Sequence, residues 1–351
     1  MSKNNFQKIK DKLPGVKEKV LLKNYTTYKI GGPAKYFFIA KTLGRSPLGR
    51  SPTGEPADEA KEGLMLALKL AKENKLPVFI LGGGSNLLIS DKGFDGLVIK
   101  IDIPDIKFEG SEVFVGAGAN LTKLAYLLAN SGLSGLEWSA GVPGTVGGAI
   151  YGNAQAFGTK ISDAVKSVEA INLKTFKIKS FTKKQCRFSL KSSIFKENKY
   201  LVIISAVLEL RKSSTRPGLV DKQEIKNKIK EFLKYRKNNH PINFPSAGST
   251  FVNPEVIIKS KKLLEKFTEL NECNKKGVVP AGYLIAKCGL AGKKIGNAQI
   301  SEKHANFIIN LGGAKAEDVL SLMKLAKQKV KKTFGINLES EVQLVGFKAT
   351  I

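Results

Sequence analysis

Two glycine-rich segments about sixty residues apart are the part of this chain best suited to hold a ligand. The first reads Gly82, Gly83, Gly84, Ser85, Asn86, Leu87. The second covers 141–149 and contains Gly141, Pro143, Gly144, Thr145, Gly147, Gly148 and Ala149; Asn153 and Gly158 continue it. Runs of small residues let backbone N–H groups approach an anion closely. One such loop alone would read as an ordinary tight turn. Two suit a large ligand with a pyrophosphate in its middle, so a dinucleotide is the first candidate.

The loops do not make a Rossmann fingerprint, which needs a third glycine and then a helix. Leu87 occupies the third glycine position, and 87–89 continues as an apolar, strand-like or loop segment. The helix-dipole phosphate site is therefore missing. Backbone amides, with the side chains of Ser85 and Asn86, are the expected anion holders.

The elements that must position these loops are readable in outline. Residues 77–81 form a buried strand feeding the first loop, and 113–115 another. Leu64, Leu68 and Ala71 are spaced for a helix over 62–75. Asn120 reads as an N-cap, followed by the apolar stripe Leu121, Leu124, Ala125 and Leu128, with Gly132 as the stop. Strand-like runs follow at 165–173, 176–181 and 201–210. A polar break at 212–218 reads as a domain boundary, with a basic helix over 221–238 beyond it. A last helix spans 317–333, and an alternating strand 338–345 closes the chain. Residues 43–60 repeat Gly-Arg-Ser-Pro, have little to bury, and read as a mobile surface insertion.

Composition fits a soluble globular protein of two or three domains, with 42% hydrophobic and 25% charged residues among 351. No apolar run approaches the roughly 20 residues of a membrane span. The polar, lysine-rich N-terminus is no secretory signal, so a cytoplasmic location is the default expectation. Cys186, Cys273 and Cys288 fit neither a disulfide framework nor a C-x-x-C site, and no metal site is expected. The net charge of +28 raises a nucleic-acid partner. The lysines are scattered, however, and aromatics do not interleave with them as a stacking platform requires. No nucleic-acid partner is expected, and a monomer is the default assembly.

In the order of the chain, seven stretches resemble the UDP-N-acetylenolpyruvoylglucosamine reductase family: 82–88, 141–158, 186–196, 247–254, 281–285, 304–310 and 338–346. The resemblance covers about 24–346. It implies an α+β protein. An FAD-binding region of the vanillyl-alcohol-oxidase-like type would lie in two subdomains, 1–100 and 101–214. A C-terminal α/β substrate domain would cover 215–351. It implies FAD bound by residues 82–87 and the glycine-rich positions of 141–149, NADPH as reductant, a nucleotide-sugar substrate and a role in peptidoglycan precursor synthesis. The segment between 193 and 247 is short, like the form lacking an extra substrate-covering module.

The implied reaction saturates an enolpyruvyl ether, with hydride from the flavin N5 to C3 and a proton to C2. Ser249 matches the family's proton donor; without the match it would read as part of an Ala-Gly-Ser turn. Glu341 matches the catalytic glutamate and, protonated, could donate a hydrogen bond to the enolate-like carboxylate. On a regular strand Glu339, Glu341 and Gln343 would share a face opposite Leu338, Val342 and Leu344. The family's Tyr-Arg pair is replaced by Leu190-Lys191. Lys191 keeps the positive charge that would polarise the substrate carboxylate but loses the bidentate fork. Arg187 would be a candidate stand-in if this stretch were helical. Val252 stands where many relatives carry lysine. Asn253 and His304 match substrate-facing positions, although His304 also reads as a core histidine. The alternatives are a related flavoprotein with another substrate and a basic nucleic-acid-binding protein.

Overall fold

The computed structural model describes residues 3–41, 58–212 and 222–347. The chain divides into two compact units. One comprises Met1–Val20, Ala34–Gly84 and Asp95–Tyr235; the other comprises Leu21–Pro33, Ser85–Phe94 and Arg236–Ile351. These units cut the chain differently from a division at 100 and 214. Residue 100 lies inside the strand Phe94–Asp102. Residues 85–94 group with the C-terminal segment because Leu87–Ile89 pairs in parallel with Gln343–Val345.

In the first unit, Val78–Leu81 runs parallel to Phe94–Asp102, with Leu81 opposite Lys100. Its C-terminal end delivers the chain into Gly82. A second, antiparallel sheet has the order Ile178–Thr182, Val165–Asn172, Leu201–Glu209, Glu112–Gly116, Ile106–Glu109. The helix Asp58–Glu73 begins four residues earlier than its apolar spacing alone suggested, and buries Leu64, Ala67, Leu68 and Ala71. Leu121–Asn130 is capped as expected, by Lys123 N donating to Asn120 Oδ1 at 2.9 Å. Its Leu121, Leu124 and Leu128 join the unit's core, while Ala125 and Ala129 pack with Ile225 and Ile229 of Lys222–Asn239. Cys186 is fully buried, as a packing thiol should be.

The second unit holds an antiparallel sheet in the order Ser246–Ser249, Phe307–Asn310, Ala298–Ile300, Lys294–Ile295. The helix Ala316–Phe334 buries Val319, Leu322, Met323, Ala326 and Val330 in the same core as Ala298, Ile300 and Ile308. Gly335 ends it at φ +74, a left-handed cap that glycine adopts without a Cβ penalty.

The terminal strand is shorter than its alternation suggested, Gln343–Val345 in place of 338–345. Burial alternates through Ile336, Leu338 and Val342. A bend at Val342 then changes the phase, leaving Leu344 at the surface. Most of the insertion expected at 43–60 lies outside the described residues, its last positions opening the helix Asp58–Glu73. The break at 212–218 likewise lies outside them, apart from Lys212.

Leu124 is fully buried at the centre of its helix. Leu124→Ala should cost about 2–5 kcal/mol, seen as a lower urea midpoint of the apoprotein.

Candidate active site

The two glycine segments meet within the first unit. A Cβ on Gly83 would lie 2.6 Å from Gly144 Cα, and one on Gly82 would lie 2.8 Å from Thr145 Oγ1. A Cβ on Gly147 would meet Ala117 Cβ at 2.8 Å. Glycine is therefore required at 83 and 147 for backbone to pass this closely. Thr145 opens the short helix Val146–Tyr151, its hydroxyl accepting from Gly148 N at 3.4 Å. Gly141, Pro143 and Gly148 are exposed and Ala149 is buried. Among the described residues, no acceptor meets the amides of Gly83 and Gly84. A pair of apposed loops without side chains, with amides left to donate, fits a ligand that carries phosphate oxygens, as FAD does.

The first segment changes unit between Gly84 and Ser85. In the second unit, Leu87 is buried at the start of its strand. Asn86, expected among the anion holders, also ties the fold together. Its Nδ2 donates to the Glu341 carbonyl at 3.1 Å, and its own carbonyl accepts from Gln343 N at 3.0 Å. One of the two N–H donors of this side chain is thus committed to the backbone that carries the expected catalytic glutamate.

Ser249 and Glu341 are brought together through that backbone. Glu341 N donates to the carbonyl of Thr250, the residue after Ser249, at 2.9 Å, and Phe251 bridges to Ser340. Among the described residues, nothing hydrogen-bonds the Ser249 hydroxyl. Gly248 before it has φ +77 and open space where a Cβ would stand. Asn306, 2% exposed, holds the other side. Its Oδ1 accepts from Phe251 N at 3.0 Å, its Nδ2 donates to Phe251 O at 2.9 Å, and its carbonyl accepts from Thr250 N at 2.7 Å. Sequence reasoning gave Asn306 no role, because an asparagine that pairs like a strand has no local signature.

Asn253 is tied into the fold. Its Oδ1 accepts from Ala281 N at 3.0 Å, at the start of the helix Ala281–Lys287. His304 faces the chain's other histidine. The His240 and His304 rings lie 5.4 Å apart edge to face, both beside Phe307. His304 Nδ1 accepts from Asn306 N at 3.3 Å, so Nε2 carries the proton of the neutral ring. Burial lowers the pKa of His304, and burial followed by the charges of His304, Arg236 and Lys303 takes His240 down to about 4. Among the described residues, no group of three metal ligands occurs.

Lys191 belongs to the first unit, at the tip of a tight turn in which Ser189 and Ser192 bridge each other. The stretch is not helical. Arg187 instead pairs with Glu197 at 3.4 Å, so it does not stand one turn from Lys191.

Residues 59–175 match an FAD binding domain, and 240–345 match the C-terminal domain of UDP-N-acetylenolpyruvoylglucosamine reductase. The reductase of that name from Lachnoclostridium phytofermentans is 37% identical over 93% of this chain and 92% of its own length. That from Carboxydothermus hydrogenoformans is 38% identical over 93% and 92%. The chain belongs to the UDP-N-acetylenolpyruvoylglucosamine reductase family. The crystal structure of the Thermus caldophilus reductase superposes with a TM-score of 0.69 at 30% identity, covering 93% of this chain and 98% of that one. The α+β fold with an FAD-binding region and a distinct C-terminal domain is thus that of the family.

Three substitutions test this site. Gly83→Ala should yield protein that purifies without FAD and does not retain it on a desalting column. Asn306→Leu would orphan two backbone groups of Phe251, which cost about 1–3 kcal/mol each, and should lower stability accordingly in urea. His240 stays neutral in the fold while the unfolded chain protonates near 6.5. The stability present above pH 6.5 should therefore be lost as pH falls toward about 4, and His240→Gln should flatten that slope in urea titrations.

Proposed function

We propose that this protein reduces UDP-N-acetylglucosamine enolpyruvate to UDP-N-acetylmuramate with NADPH, using FAD, in the synthesis of peptidoglycan precursors. The observation that carries the proposal is 37% identity to a reductase of that name over nearly the whole of both chains, 93% and 92%. The apposed glycine loops of the first unit and the Ser249–Glu341 backbone link of the second add physical support.

The reaction adds a hydride equivalent to C3 and a proton to C2 of the enolpyruvyl group. FAD, when bound, supplies the two-electron chemistry between NADPH and the substrate. Ser249 gives its hydroxyl proton to C2. A hydroxyl without a protein partner is free to point at substrate, and a carbanion-like carbon is basic enough to take its proton. Glu341, held beside Ser249 through Thr250, hydrogen-bonds the substrate carboxylate where charge accumulates. Lys191 adds a positive charge for the substrate carboxylate, as a point charge and not a fork.

Asn253 and His304 contact the nucleotide sugar. With its oxygen committed to Ala281, Asn253 has its amide nitrogen left to donate, and His304 has Nε2–H. A nucleotide-sugar substrate and NADPH both place the reaction in the cytoplasm. No described helix is long and apolar enough to cross a membrane.

The proposal is tested by NADPH consumption that requires the enolpyruvyl substrate and yields its saturated lactyl ether. Consumption without that product would favour a related flavoprotein reaction. Ser249→Ala should leave reduction by NADPH intact and slow reoxidation by substrate about 100-fold or more. If both half-reactions fell together, Ser249 would be structural. Lys191→Arg should raise turnover by restoring two parallel hydrogen bonds to the carboxylate; a fall would show a site rebuilt around lysine.

A further inference from the structure

The turn that carries Lys191 is fastened at both ends to the segment that follows the second glycine loop. Ser189 N donates to Ser192 O at 3.1 Å and Ser192 N returns to Ser189 O at 3.3 Å, leaving Leu190 and Lys191 at the tip. Lys191 itself is left-handed, φ +53. At one end, Asn153 Nδ2 donates to Ser189 O at 2.8 Å. At the other, Ser193 Oγ donates to Tyr151 O at 2.8 Å. Lys196 Nζ also donates to the Lys191 carbonyl at 2.7 Å. The Ser189 carbonyl thus accepts twice, which fills its two lone pairs.

Asn153 occupies a backbone position that few residues other than glycine and asparagine adopt readily. It is 2% exposed and left-handed, φ +42. Glycine would adopt that backbone more readily. Its Oδ1 is buried and, among the described residues, has no hydrogen-bond partner. The amide cannot be flipped to relieve this, because Ser189 O can only accept and must face nitrogen. Asparagine tolerates this left-handed backbone, but that tolerance alone does not explain a buried amide whose oxygen is left without a partner among the described residues. Its hydrogen bond to Ser189 does.

We infer that Asn153 is a positioning residue, whose amide fixes the 189–192 turn and thereby the direction in which Lys191 presents its ammonium to the substrate carboxylate. This rests on the role proposed above for Lys191. Without the clamp, the turn keeps its own two backbone bonds but gains freedom to swing about its base. Lys191 would then reach the carboxylate in only part of the population.

The test uses the FAD-loaded protein with Asn153→Gly, which tolerates the backbone angle, and Asn153→Asp, which keeps the shape but loses the donor. Each is made alone, and Asn153→Gly is also combined with Lys191→Ala. Two quantities are read: reduction by NADPH and reoxidation by the enolpyruvyl substrate. Substrate affinity is followed separately through the flavin spectrum of the oxidised protein. Both single variants should reoxidise about 10- to 100-fold more slowly with unchanged reduction by NADPH. In the Lys191→Ala background, Asn153→Gly should add almost nothing, because the group it positions is gone.

Wild-type reoxidation in both Asn153 variants would overturn the inference while leaving Lys191 in place. So would an equal slowing by Asn153→Gly with and without Lys191, or loss of FAD from both variants, since either means a structural role. A Lys191→Ala protein that reoxidises at the wild-type rate would overturn the role of Lys191, and the inference with it.

Discussion

The two-way hydrogen bonding of the Asn306 amide to the Phe251 backbone is the constraint on which the second unit's chemistry depends. It lets one side chain take the place of a strand partner. Residues 249–251 are then held between Asn306 on one side and Ser340–Glu341 on the other. The bulge in the pairing of Ser246–Ser249 with Phe307–Asn310 is what frees this stretch from regular strand geometry. Gly248 supplies the left-handed residue within it, and among the described residues nothing hydrogen-bonds the Ser249 hydroxyl. Asn86 completes the frame by bonding the Glu341 carbonyl. A serine and a glutamate far apart in sequence are thereby fixed relative to each other by backbone bonds. Such a frame costs little reorganisation when charge develops, which is how preorganised groups contribute to catalysis.

The first unit solves a different problem, the approach of two loops close enough to share one ligand. Side chains are excluded there by backbone contact, Gly83 against Gly144 and Gly147 against Ala117. The same unit carries the Lys191 turn, anchored to the end of the second loop through Asn153 and Tyr151. Several lysines are spent on exposed ion pairs such as Lys275–Glu272 and Lys228–Glu224, which contribute little.

Much of this was legible in the residues because the signals were local. The Asn120 cap, the stripe Leu121–Leu124–Leu128 and the left-handed stop at Gly132 specify a helix without reference to the rest of the chain. The glycine segments were legible as close-approach backbone for the same reason. What the sequence did not display depended on distant partners. The grouping of 85–94 with the C-terminal segment follows from a parallel pairing with Gln343–Val345, and two short apolar runs cannot announce their mutual pairing. Asn86 read as an anion ligand because its neighbours are glycines, and its bond to a carbonyl 255 positions away had no local signal. Arg187 looked available only on the assumption of a helix, and the Ser189–Ser192 turn with the Glu197 ion pair replaces that helix. Asn306 carried no cue, and Asn153 only its place at the end of the second glycine segment, since a buried asparagine is defined by what it meets.

The measurement that tests the account most directly is the visible spectrum of the FAD-loaded protein under anaerobic conditions, before and after NADPH and then after the enolpyruvyl substrate. The account predicts an oxidised-flavin band that bleaches with NADPH and returns when the substrate is added. A band that bleaches but does not return would contradict the assigned substrate. A protein that takes up no FAD at all would contradict the account as a whole.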